Sequence, residues 1–345
     1  MSQELTPTQE LALAISSCEE VCNAFKDKAH PCSGVVNWQV NEWKKNIDKV
    51  EGSVLHRPEA WTGALDKAKI LFLASNPSFN PDEAFPDYSP VWSEEDILSF
   101  ATKRFVPTDA RGFGAVDMPN LQQADRVILK NGKVAQGRPV PYWREVRGRV
   151  AEILGKEISQ VSADEDYVMT ELVHCKSFNE IGVPDSLAFC NGKWMNKILM
   201  NSPARLIIVM GKKPAEKVLE VINGIPSTWG SWKDEKSGLK RGDWPNSNSD
   251  LQERTKNGSW AYEDQKKHSV VTNVGGLERL LIWLPRPNSS LPRTLTGPNP
   301  CISKKLLNEW RDFLTKQKEG VHRKNSTPSN NYGPSSQRPI RKLDL

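Results

Sequence analysis

The sequence predicts an α/β protein, a three-layer αβα arrangement around a central four-stranded, mainly parallel sheet. Three observations lead there. Four short segments, "AKILFLA" (68 to 74), "DYVMTELVH" (166 to 174), "ARLIIVMG" (204 to 211) and "RLLIWLPRPN" (279 to 288), carry apolar residues on both faces, as strands covered on both sides do. Segments with helical periodicity separate them, which is the pattern of crossover connections in a parallel sheet. Each strand then stops at chemically active residues, and in such sheets functional groups collect beyond the carboxyl ends of the strands.

The elements follow in order along the chain. Residues 8 to 27 place Leu11, Ile15, Cys18, Cys22 and Phe25 at steps of three and four, which predicts one amphipathic helix. Residues 30 to 65, with Pro31 and Gly34 early, read as irregular with one short helix. After the first strand, residues 82 to 140 form a polar excursion broken by Pro and Gly, with helical signals near 93 to 104. "PYWREVRGRVAEILG" (141 to 155) is a helix closed by a glycine. "SLAFCNGKWMNKIL" (186 to 199) and "PAEKVLEVI" follow the second and third strands as helices. Residues 225 to 270 are dense in Ser, Asn, Gly, Asp and Lys and read as an insertion carrying Trp229, Trp232, Trp244 and Trp260. After the fourth strand, Leu306, Leu307, Trp310, Phe313 and Leu314 share one helical face.

The domain plan is therefore an N-terminal segment, 1 to 65, packing on a core domain, 66 to 315, with a basic disordered tail, 316 to 345. The formal charge of the 345 residues is +5. That tail alone holds seven Lys or Arg against Glu319 and Asp344, so the body is neutral and lacks the broad basic field of a general nucleic-acid binder. No run reaches the roughly 18 apolar residues of a membrane span, and the N-terminus lacks a signal-peptide pattern. The expected location is the cytoplasm, where the six cysteines are free thiols or metal ligands rather than disulfides. "GKKPAEK" after the third strand lacks the Gly-rich cradle of a P-loop, which argues against a nucleotide-hydrolysing enzyme.

Four motifs in order carry a resemblance. "SNPS" ends the first strand, "MTELVHCKS" covers the second, "LIIVMGKKPAEKVL" covers the third, and "LPRPNSSLPR" follows the fourth. Together they resemble the uracil-DNA glycosylase superfamily over roughly residues 66 to 315. The first and last are similar to the mismatch-specific branch, the middle two to the iron-sulfur branch. The resemblance implies a monofunctional DNA glycosylase, acting as a monomer on DNA, that flips out a pyrimidine and leaves an abasic site.

The chemistry assigns candidate roles. Breaking an N-glycosidic bond needs a water aimed at C1′ and donors for the departing base. Asn76 can orient that water with its amide oxygen while its nitrogen is anchored; Ser75, Pro77 and Ser78 shape the turn. Taken alone, Asn76 reads as a turn former at a strand end, and it is the company of the other motifs that favours the catalytic role. Glu171 stands where the iron-sulfur branch has an asparagine that reads uracil. A carboxylate suits the N4 amino group of cytosine instead, which points to cytosine-derived bases, as in phage-defence glycosylases of this superfamily. The plain alternative pairs Glu171 with Lys176, Lys212 or Lys213, and ordinary uracil repair or a catalytically silent DNA binder are the competing functions.

Arg286 and Asn288 are candidates for stabilising the leaving base, with Ser289 beside them, and Leu291 with Arg293 resembles the wedge that enters the stack. His174 is a further candidate acid. Phe85, preferred over Tyr88, is the candidate stacking platform, although either can be core. No cofactor is needed for the chemistry. The resemblance also implies a structural [4Fe-4S] cluster on Cys22, Cys32, Cys175 and Cys190, whereas the placement of Cys18 and Cys22 on one apolar helix face reads as buried free thiols.

Overall fold

The computed structural model describes residues 4–44, 55–79, 83–88, 92–103, 115–116, 126–129, 133, 140–163, 165–222, 225, 268–284, 295 and 302–324. Strands β1 (Ile70–Ala74), β4 (Tyr167–Glu171), β5 (Leu206–Met210), β6 (Ser269–Val274) and β7 (Leu277–Leu284) form one sheet in the order β4-β1-β5-β7-β6. The first four in that order run parallel, and β6 joins β7 antiparallel at the edge. Strands β2 (Ala115–Val116) and β3 (Arg126–Val127) make a separate antiparallel pair.

The sheet therefore has five strands where four were expected. The extra strand begins at the end of the polar 225 to 270 stretch, whose composition masks it. Its local signal is the Gly275-Gly276 pair, with φ of 60° and 76°, the left-handed geometry that a two-residue hairpin between twisted strands requires.

Helices are α1 (Pro7–Ser16), α2 (Glu20–Lys26), α3 (Ser33–Lys44), α4 (Glu94–Lys103), α5 (Pro141–Leu154), α6 (Val183–Asn201), α7 (Lys212–Val221) and α8 (Lys304–Lys324). Alternation along each strand splits the sheet into two cores. Leu71, Leu73, Val168, Ile207, Val209 and Leu281 face one side, packed with residues of α1, α2, α3, α6 and α7. Ile70, Phe72, Tyr167, Ile208 and Ile282 face the other, packed with α5 and α8. Helices thus cover both faces, which is why the central strands are apolar throughout.

Two further expectations change. The single helix over 8 to 27 is two, because α1 ends at Ser17, whose N–H bonds back to Leu13, and a turn through Cys18 and Glu19 redirects α2. The tail expected to be disordered from 316 continues α8 as far as Lys324. The N-terminal segment packs on the core as part of it, since Leu11, Ile15, Val21 and Val35 share the first cluster with Trp194 and Ile198 of α6. Among the described residues no helix is long and apolar enough to cross a membrane.

Candidate functional site

The register places the tips of β4, β1 and β5 side by side. Ala74 lies opposite Glu171, Leu73 opposite Val209, and Met210 opposite Leu284, so Glu171, Ala74, Met210 and Leu284 form a row on the α5 face at the carboxyl edge. At the usual spacing of neighbouring strands, Glu171 and Met210 are about 10 Å apart across the small Ala74. Ala74 is half-buried, unlike the four residues before it. Arg149 of α5 reaches this row, its Nη1 3.6 Å from Met210 Sδ. It is fully buried, and its Nε and Nη2 have no hydrogen-bond partner among the described residues. A buried guanidinium with open donors is costly unless negative charge is supplied.

At the β1 tip, the Asn76 side chain is anchored through its nitrogen. Its Nδ2 donates to Pro77 O at 2.9 Å and to Ser177 O at 3.4 Å. Its Oδ1 has only a 3.4 Å contact with Ser75 Oγ, and the single proton of that hydroxyl goes to Glu180 Oε1 at 2.7 Å. The amide is held by its nitrogen, and its oxygen is left to accept from a solvent molecule. Pro77 is buried and locks the turn, its carbonyl also accepting from Ser177 N, while Ser78 is exposed and bridges to Ser177.

Glu180 carries no sequence signal of its own. It belongs to a loop after β4 in which Asn179 and Glu180 both have positive φ, 51° and 59°, an arrangement that costs of order 1–3 kcal/mol per residue. Gly182 makes the loop possible. Its φ is +74°, and a Cβ there would lie 2.2 Å from Val35 N at the start of α3. Ser177 Oγ donates to Ile181 O at 2.7 Å and ties the loop to its own base. The loop carries Phe178, 54% exposed and stacked on Trp38 with centroids 6.3 Å apart, and the exposed Ile181.

Beneath the turn lies a buried ionic group. Lys176, 1% exposed, sits 3.0 Å from Glu83 Oε2 and 3.6 Å from Glu59 Oε2, and donates to Ser78 O at 3.3 Å. Gln39 of α3 donates to Lys176 O at 2.6 Å, and Thr62 Oγ1 donates to Glu59 Oε1 at 2.9 Å. Lys176 is thus committed to Glu59 and Glu83 and does not pair with Glu171; the side chains of Lys212 and Lys213 lie outside the described residues. Glu171 itself is buried at the end of β4.

Phe85 is corrected from platform to core. It is 2% exposed, stacked with His56 at 5.1 Å, edge-on to Phe100 at 4.9 Å, and covered by the Lys176 ammonium at 3.7 Å from its centroid. Tyr88 has Arg57 over its ring at 4.6 Å and packs against the first core, where burial pushes its hydroxyl pKa up. His174 is corrected as well. It is fully buried, and burial pushes its pKa down to about 4, so it is neutral at pH 7. Its Nδ1 donates to Glu59 O at 2.7 Å. Arg286, Asn288, Ser289, Leu291 and Arg293 lie outside the described residues.

Four cysteines converge elsewhere. Cys18, Cys32, Cys175 and Cys190 line a cavity of about 20 Å³ together with Val21, Trp194 and the His174 ring. Cys22 is exposed and does not reach it, so Cys18 takes the fourth place. The reason is the break between α1 and α2, which puts Cys18 in a turn facing α6. Burial pushes Cys32 up to about 11 and Cys190 up to about 12, and it raises Cys175 and Cys18 too; neighbouring thiols add to the effect on Cys32, Cys175 and Cys190. Among the described residues no three His, Cys, Asp or Glu side chains come together as ligands of a single metal ion. A four-iron cluster spreads its thiolates wider than one ion does, and four soft donors, three buried and Cys18 half-buried, match its ligand set. The void itself has the size of one water, so a bound cluster would move these side chains apart.

No protein-family model and no curated protein matches the chain.

Proposed function

We propose that the protein is a monofunctional DNA glycosylase of the uracil-DNA glycosylase superfamily, acting on a cytosine-derived base. The observation that carries this reading is Asn76. Its amide is clamped through Nδ2 to two backbone carbonyls at the tip of the central strand, with Oδ1 left for a water. In the proposed reaction that water oxygen bonds to C1′ as the C1′–N bond breaks, the electron pair leaves with the base, and the proton the water loses ends on the departed base. Glu171 reads the amino edge of the base from the neighbouring strand tip. Buried Arg149 supplies positive charge at the same edge as the base becomes anionic, a stabilisation strengthened by the low dielectric. The charge-bearing role expected of Arg286 and Asn288 is thereby shared with a residue of α5.

Phe178 replaces Phe85 as the aromatic surface offered to an extruded nucleotide, because it is exposed beside the turn that holds Asn76. Cys18, Cys32, Cys175 and Cys190 would hold a structural iron-sulfur cluster, which would cross-link the α1–α2 turn to α6 and the segment after β4. Activity on modified cytosine would fit a defence role against phage DNA.

The test is incubation with DNAs containing uracil, cytosine, hydroxymethylcytosine or glucosylated hydroxymethylcytosine, with released bases identified by mass. A cytosine-derived base should be released, and Asn76→Ala should slow release about a hundredfold or more without weakening DNA binding. Rapid release of uracil alone, undiminished in Glu171→Asn, would establish uracil repair instead. No release from any of these DNAs would sink the glycosylase reading in favour of a silent binder.

A further inference from the structure

At the opposite pole of the sheet, where β1, β5 and β7 begin and α5 ends, lies a cavity of about 840 Å³. Its volume is that of a small-molecule site. Lys67, Lys69, Lys156, Arg205 and Arg311 line it, and among the described residues no carboxylate does. Lys69 and Lys156 share the buried Asp166, at 2.9 and 2.6 Å. Arg311 donates through Nε to Glu152 O and Ile153 O at the end of α5, and Arg205 donates through Nη1 to Glu278 O at 3.0 Å. Those carbonyls orient the two guanidinium groups without neutralising them. Lys67 has no side-chain partner among the described residues. Five cations therefore converge on a concave surface, two of them paired with Asp166, a source of positive potential in a body without net charge.

The walls between the cations are apolar, formed by Leu154, Pro203, Leu277 and Leu314. An isolated phosphate would leave those walls unused, a simple carboxylate would leave most of the cations unmatched, and convex duplex DNA does not enter a cleft of this size. We propose that this cavity binds a small organic phosphate. Its phosphoryl groups meet Lys67, Arg205 and Arg311, and a body of nucleoside size lies on the four apolar residues. The site is independent of the glycosylase reading, since it sits at the amino ends of strands whose carboxyl ends carry Asn76 and Glu171.

The test is isothermal titration of the full chain in magnesium-free, low-salt buffer with ADP, pyrophosphate and adenosine as probes. ADP is expected to bind in the micromolar range, with pyrophosphate and adenosine each about tenfold weaker or more. Lys67→Glu and Arg205→Gln should each weaken ADP about tenfold while leaving the melting temperature unchanged; Lys67 is exposed, so that variant at least should fold normally. Asn76→Ala should bind ADP like the parent chain. The proposal is overturned by an absence of saturable ADP binding up to about 1 mM, by pyrophosphate binding as well as ADP, or by full ADP affinity in both charge variants.

Discussion

Replacing Lys176 by methionine keeps most of the apolar stem and removes the ammonium from between two buried carboxylates. At an effective dielectric of about 20, contacts of 3.0 Å to Glu83 and 3.6 Å to Glu59 are each worth about 5 kcal/mol of attraction. Desolvation of the three ions, several kcal/mol each, consumes most of that. The net value of the group is therefore small, but deleting the Lys176 ammonium is not a small change, because Glu59 and Glu83 stay buried. Lys176→Met should cost about 3–5 kcal/mol, read from urea unfolding at pH 7.5. Glu83→Gln in the same background should recover about 2 kcal/mol relative to additivity, since it removes one of the two buried charges. High salt should change these values little, as the group is shielded from solvent. A cost under about 1 kcal/mol, or strict additivity of the two substitutions, would refute the reasoning that this site is a coupled buried network.

Three further outcomes are expected. Glu180→Gln keeps the contact to Ser75 Oγ in shape but loses the charge, and should lower base release about tenfold with DNA affinity unchanged; equal rates would remove Glu180 from the site. Cys18→Ala should abolish iron and sulfide binding by anaerobically purified protein while Cys22→Ala leaves it intact, and the reverse pattern would restore Cys22 as the ligand. His174 has a folded pKa of about 4 against an unfolded value of 6.5. The unfolded chain therefore binds the extra proton between those values, and stability complete above pH 6.5 should fall by about 3 kcal/mol as the pH drops towards 4. His174→Gln should flatten that part of the profile in denaturant titrations, and an unchanged slope would show that other groups produce it.

The alternation-free apolar strands, the helical periods and the Asn-Pro turn are local properties, so sequence alone determined the α/β class, the parallel strands and the placing of Asn76 and Glu171 at strand ends. A hairpin strand hidden behind a polar stretch escaped that reading because its residues are only partly buried and its signal rests on two glycines. What depends on a change of chain direction was not legible either. The break after Ser16 decides that Cys18 rather than Cys22 meets Cys32, Cys175 and Cys190. Phe85 became core and Phe178 became surface because packing around Lys176 and His56 selects between aromatics that look alike in one dimension. Glu180, Arg149 and the five cations of the opposite pole meet only through long-range packing, and burial and electrostatic partnership are properties of that packing rather than of spacing along the chain.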